Sequence, residues 1–197
     1  LLFRRSFSGL TVEAARKRLR LMTRKTRRPT AVGAVVNRTI PGPTGAIDVR
    51  IYTPVGAGPF PLLMFFHGGA FVMADLDTED ETCRAFCKDV VCLVVSVGYR
   101  LAPEHKFPAA ADDCLAAVTA LRLRDDGGPH LCGQLLIYPS TDYHTPATPS
   151  SITNGHGYGL TRDDVIWAWA HYLRDPSDAA NPYAAPMRAR DLSRLPH

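Results

Sequence analysis

Five consecutive residues, His67-Gly68-Gly69-Ala70-Phe71, follow an apolar run from Pro61 to Phe66, and their types suit them to a definite chemistry. Glycines without a Cβ let the backbone come close to a ligand and take up positive φ, so successive N–H groups can face one point. Such a point stabilises the oxyanion that develops when an acyl carbonyl is attacked. The same pentad also reads as an ordinary glycine turn at a strand end, and by itself it does not separate the two. The attacking oxygen would come from a serine on a Gly-x-Ser-x-Gly turn. None of Ser6, Ser8, Ser96, Ser140, Ser150, Ser151, Ser177 and Ser193 is flanked in that way.

The elements that must hold this loop follow from hydropathy and turn signals. Ala34 to Ile40 reads as a strand, Pro41-Gly42-Pro43-Thr44-Gly45 as a turn, and Ile47 to Tyr52 as a second strand. Leu62 to Phe66 is continuously apolar, the pattern of a strand buried on both faces of a parallel sheet. Asp75 to Asp80 leads acidic residues into a helix running to about Lys88, where carboxylates suit the helix N-terminus. Val90 to Val97 predicts another apolar strand. A helix from about Ala109 to Arg124 stops at Gly127-Gly128-Pro129, and Leu131 to Tyr138 predicts a further strand. Thr161-Arg162-Asp163-Asp164 resembles a capping box opening a helix through Leu173. Strands alternating with helices give an α/β class.

The chain has 197 residues, 46% hydrophobic and 21% charged, which suits one globular domain and excludes fibrous or low-complexity classes. No apolar run reaches the ~18 residues of a membrane-spanning helix, and no apolar segment follows the basic N-terminus as a secretory leader requires. The chain starts at Leu1 rather than Met, which suggests a fragment. Residues 1–28 carry ten Lys and Arg against Glu13 alone, so the net charge of +4 belongs to this arm. The arm reads either as a solvated amphipathic helix with Val12, Ala15, Leu19 and Met22 on one face, or as a binder of an anionic surface. The five cysteines form no paired C-x-x-C motif. Cys83 and Cys87 stand at helical i,i+4 spacing, and burial as small hydrophobes is preferred to a shared ligand. A reducing, cytoplasmic location follows from this cysteine usage. Asp75, Asp77 and Glu79 alternate like calcium ligands, but the glycine and closing glutamate of such a loop are missing. No metal or other cofactor is expected.

His67-Gly68-Gly69-Ala70-Phe71 is joined by Gly98 to His105, Phe107-Pro108-Ala109-Ala110, Asp113-Cys114, Gly128-Pro129, Gln134 to Pro139 and Asn181-Pro182. Ile40-Pro41-Gly42-Pro43 and Val49 to Tyr52 belong to the same set. In this order they resemble the hormone-sensitive-lipase-like (family IV) esterases of the α/β-hydrolase fold, over nearly the whole chain. The resemblance implies an α/β-hydrolase fold with a central, mostly parallel sheet and a helical cap. It implies one domain over 1–197, with a basic cap arm at 1–30 and a further cap-related segment at 140–180. It assigns the oxyanion hole to Gly68, Gly69 and Ala70, where a third glycine is more usual than Ala70. His67, Arg100 and Glu104 are implied as structural support. The arm and the helix ending at Leu173 would both contribute to the cap.

The same resemblance shows what is missing. The nucleophile of the family lies on a turn after the fifth strand, and its acidic and histidine partners on later strand ends, beyond Leu195-Pro196. No catalytic triad residue is identifiable here. A single helix begins like the one before the fifth strand and ends like the one after it, joining near Leu115-Ala116-Ala117. An internal deletion of about 35–40 residues, one helix–strand–helix step, accounts for this. Strand 62–66 and strand 131–138 must then pair directly or leave backbone groups unpaired, at about 1–3 kcal/mol each if buried. The expected function is carboxylic-ester hydrolysis by lineage, acting on a small ester substrate in an intact member, with this chain itself inactive. The alternative is a non-catalytic hydrolase relative binding a small ligand, or an anionic surface through its basic arm. No nucleic-acid partner is expected, and the oligomeric state is open.

Overall fold

In the computed structural model, residues 6–23, 28–124, 133–157, 159–191 and 193 are described. Their centre is a four-stranded mixed sheet in the order β1-β2-β4-β3. β1 (Ala34–Gly42) and β2 (Gly45–Thr53) form an antiparallel hairpin whose last pair is Gly42 with Gly45. The predicted five-residue turn thus narrows to Pro43-Thr44, because Pro41 and Gly42 continue the ladder. β2 pairs antiparallel with β4 (Leu93–Gly98), and β3 (Leu62–Phe66) lies parallel to β4, Leu62 opposite Leu93 and Phe66 opposite Val97.

Side-chain alternation places a core on each side of the sheet. On one face Ile47, Val49, Val95 and Val97 pack with Ala110 and Ala117 of α3 (Ala109–Arg124). On the other, Tyr52 and Val94 meet Cys83 and Cys87 of α2 (Asp80–Asp89). Both cysteines are fully buried, so their i,i+4 spacing serves packing. A third cluster brings α1 (Val12–Met22) together with α5 (Arg162–Tyr172): Ala15, Trp169 and Tyr172 pack with Val72, Ala102 and Phe107. The predicted apolar face of α1 is used here, with Ala15 buried and Val12 and Leu19 against the cluster. α4 is one short turn of helix, Pro149–Thr153. The capping box at the start of α5 is formed by Thr161 and Asp164.

Three expectations need correction. Residues 133–138 of the predicted strand 131–138 are not in a strand, and Leu135, Leu136, Ile137 and Tyr138 are exposed. Apolar composition supplies strand propensity, but a strand also needs a neighbouring edge. β3 packs on both faces, Leu63 and Phe65 towards α2 and Met64 towards α3, but none of its residues is fully buried. It has a neighbour on one side only among the described residues, and Leu62 and Phe66 are 42% and 38% exposed. The strand predicted from Val90 begins at Leu93, because Val90 caps α2 and Val91 has φ 55°. The Gly127-Gly128-Pro129 helix stop and Cys132 lie outside the described residues.

Candidate active site

The chain leaves β3 at Phe66 and turns sharply. Gly69, Ala70 and Phe71 have φ of 103°, 54° and 62°, three left-handed residues in succession. At Gly69 only glycine fits, since a Cβ would sit 2.2 Å from the Met73 carbonyl oxygen. The Gly69 carbonyl oxygen accepts from the N–H groups of Val72 (3.1 Å) and Met73 (2.9 Å), which closes the turn. The N–H groups of Gly68, Gly69 and Ala70 donate to no acceptor among the described residues. Gly68 and Gly69 are half-buried and Ala70 is exposed, so these donors are open to an oxygen from outside the chain, water included.

His67 is buried and stacked on Tyr99 at 4.2 Å between ring centroids. Its Nδ1–H donates to the Gly68 carbonyl (2.8 Å), and burial holds its pKa below the usual imidazole value, so the ring is neutral near pH 7. The Tyr99 hydroxyl donates to the His67 carbonyl oxygen at 2.6 Å. Next to this pair, Phe71 stacks on Tyr172 at 4.1 Å, and Phe107 meets Tyr172 edge-on at 5.8 Å. Phe107 and Tyr172 are buried, so Phe71 is the half-buried ring of this group, next in the chain to the 68–70 loop.

The two other predicted supporting residues take separate partners. Arg100 makes a two-pronged contact with Asp113, Nη2 to Oδ1 and Nε to Oδ2 at 2.8 Å each, and Asp113 is 1% exposed. This ties the chain after β4 to the first turn of α3. Glu104 receives both terminal nitrogens of Arg16 from α1, at 2.7 and 2.8 Å. Arg16 Nε also donates to the Val72 carbonyl at 2.8 Å and Nη2 to that of Ala102 at 2.9 Å. One guanidinium thus joins α1 to the loops after β3 and β4. The arginine beside it holds the Glu104 carboxyl down to about 2. No motif pointed to Arg16, whose sequence neighbourhood is a generic basic helix.

Asp164 exceeds its capping role. It is 3% exposed and accepts from the Ser6 hydroxyl (2.7 Å), the Phe7 and Ser8 N–H groups, and both the N–H and hydroxyl of Thr161. Burial alone would raise its pKa, but the donors from Ser6, Thr161 and Phe7 outweigh this and hold it low. The segment before α1 is thereby fastened to the start of α5.

No serine stands on a strand-to-helix elbow among the described residues: Ser96 is fully buried within β4, Ser177 lies in the 3-10 turn Pro176–Ala180, and Ser150 and Ser151 belong to α4. Cys114 is half-buried, and burial followed by the Asp113 charge pushes its thiol up to about 12. It is a poor nucleophile at neutral pH. No group of three potential metal ligands occurs among the described residues, and Asp75 instead accepts from the N–H groups of Asp77 and Thr78 and pairs with Arg20. A polar recess between the β1–β2 hairpin and α2 holds Arg50, Arg84, Asp77 and Asp80, whose charges neutralise one another. It shares no residue with the 67–73 loop.

Comparison with known proteins places this geometry. The sequence profile of the alpha/beta hydrolase fold matches residues 63–121 and 114–197. The chain belongs to the α/β-hydrolase fold family. Carboxylic ester hydrolase LipN of Mycobacterium tuberculosis (strain ATCC 25618 / H37Rv) is 38% identical over 82% of this α/β-hydrolase chain and 52% of its own. Esterase LipI of the same organism is 38% identical over 94% of the chain and 68% of its own. The solved structure of ester-hydrolase EH1AB1 from the metagenome of Lake Arreo has a TM-score of 0.86 at 31% identity, covering 98% of this chain and 72% of that one. The chain spans about half the length of LipN and about two thirds of LipI. The LipI alignment runs over 221 positions, more than the 197 residues of the α/β-hydrolase chain, so some aligned positions have no residue here. The family profile matches in two pieces that both claim residues 114–121. No helix among the described residues is long and apolar enough to cross a membrane.

Proposed function

We propose that this chain descends from carboxylic-ester hydrolases and keeps their oxyanion hole, Gly68, Gly69 and Ala70, without the nucleophile that would use it. The observation that carries the reading is the loop 68–70, whose three N–H groups have no acceptor among the described residues, with Gly69 and Ala70 at positive φ beside the Phe71 ring. In hydrolysis a serine oxygen attacks the ester carbonyl, and two or three N–H donors hold the resulting O⁻. The Gly69 and Ala70 N–H groups suit that second role. His67 is a structural ring that shapes the turn, and Arg100 and Glu104 brace it through Asp113 and Arg16. The substrate class is a small ester, its acyl part lying beside the half-buried Phe71.

The absence of an elbow serine follows from an internal junction near Leu115-Ala116-Ala117. Support comes from the double claim of the family profile on 114–121 and from a LipI alignment longer than the chain. The chain is one domain with two cap portions, 1–30 and 140–180, supported by the cluster that α1 and α5 share. Cytoplasmic location is supported by four free cysteines among the described residues. Arg16 and Arg20 of α1 are paired with Glu104 and Asp75, so docking of the arm on an anionic surface would use its other basic residues.

The test uses the purified chain with a fluorophosphonate probe and with p-nitrophenyl butyrate. No serine should be labelled, and hydrolysis should equal the buffer rate. Labelling of any serine together with turnover would overturn the assignment. A tetrahedral alkylphosphonate monoanion should nevertheless bind, and an amide-to-ester exchange at Ala70, which removes its N–H while leaving φ 54° accessible, should weaken it about tenfold or more.

A further inference from the structure

The free edge of β3 is the feature that nothing above uses. Leu62–Phe66 is paired with β4 on one side and with no strand on the other among the described residues, and Leu62 and Phe66 are exposed. An edge of unpaired N–H and C=O groups is bonded either by water or by another extended strand, and a strand is favoured where the edge is apolar and uncharged. The edge also lacks the usual protections. Leu62-Leu63-Met64-Phe65-Phe66 carries no charge and no proline, and its register with β4 is unbroken.

We infer that this edge pairs with the same edge of a second copy, antiparallel, about a two-fold axis at Met64. That axis is the one that pairs all five residues, Leu62 opposite Phe66 and Leu63 opposite Phe65. It also keeps the two cores continuous. Leu63 and Phe65 pack with the α2 side and Met64 with the α3 side, so like layer meets like across the axis. A self-complementary apolar strand of this kind suits an isologous dimer. Tyr138 lies against Gly68, just beyond the end of β3, and begins an exposed apolar run back to Leu135 that would flank the joint. That run does not close the edge in its own chain: it is not in a strand, and Tyr138 has φ 40°.

Sedimentation velocity on the full chain across a hundredfold concentration range tests the inference. The 21.6 kDa chain should approach twice its mass. Leu62→Lys with Phe66→Lys sets lysine against lysine twice and should weaken the dimer about tenfold or more. Leu62→Lys with Phe66→Glu sets lysine against glutamate twice and should restore it to within about tenfold of the native chain. Far-UV circular dichroism checks that both variants fold. A native chain that stays monomeric throughout overturns the proposal, as does equal behaviour of the two variants. A dimer indifferent to both pairs but lost on Leu135→Ser with Ile137→Ser also overturns it, by placing the contact on the 135–138 run.

Discussion

At Gly69 the side chain is excluded by geometry, while at Ala70 it is merely tolerated. A methyl at Gly69 would meet the Met73 carbonyl and also require φ 103°. Gly69→Ala is therefore expected to lose about 1–3 kcal/mol in urea unfolding. Ala70→Gly, at φ 54°, should gain up to about 1 kcal/mol by removing a left-handed alanine. Two groups contribute to the acid limb of stability beside Asp164, Asp80 and the other carboxylates held low. Glu104 has a folded pKa of about 2 against an ordinary 4.5, because Arg16 binds it. Its contribution is complete above 4.5 and is lost as pH falls from there through about 2. Burial lowers the pKa of His67, so the unfolded chain takes up its proton first and stability declines as pH falls below 6.5. Urea midpoints from pH 8 to 3 should show both declines, with Glu104→Gln making the lower one shallower while Asp164 and Asp80 keep the rest. The glycine loop was legible in the sequence because backbone freedom is written in residue type. Arg16 was not, since its partners at Val72, Ala102 and Glu104 are set only by the docking of α1.

Among the elements, those whose signal is local were read correctly from the sequence: β1, β2, α3 and the capping box of α5. The failures share a physical cause. Leu135 to Tyr138 and the two ends of β3 are apolar yet exposed, and apolarity says that a segment prefers burial without saying whether a neighbour exists to bury it. Strand pairing is a property of two segments. Asp164 belongs to this scale as well, since it joins the start of α5 to residues 6–8. In Asp164→Asn an amide would face two of the five donors, and loss of the charge weakens the rest. We expect a loss of about 1.5–3 kcal/mol, with faster amide exchange at Phe7, Ser8 and the first turn of α5. Unchanged exchange at residues 7 and 8 would show that the segment is held by packing alone.

For the whole molecule, the third cluster has a consequence for biosynthesis. The sheet and α3 draw on residues 34–124 and can form once that stretch has left the ribosome. The first helix cannot settle so early. Arg16 needs Glu104, Ala15 needs the surroundings of Trp169 and Tyr172, and Ser6 to Ser8 need Asp164. Domains fold as their residues emerge, at roughly 5–20 residues per second. The α1 segment is therefore made before each of these partners and waits, basic and half apolar, until Trp169 and Tyr172 have followed it.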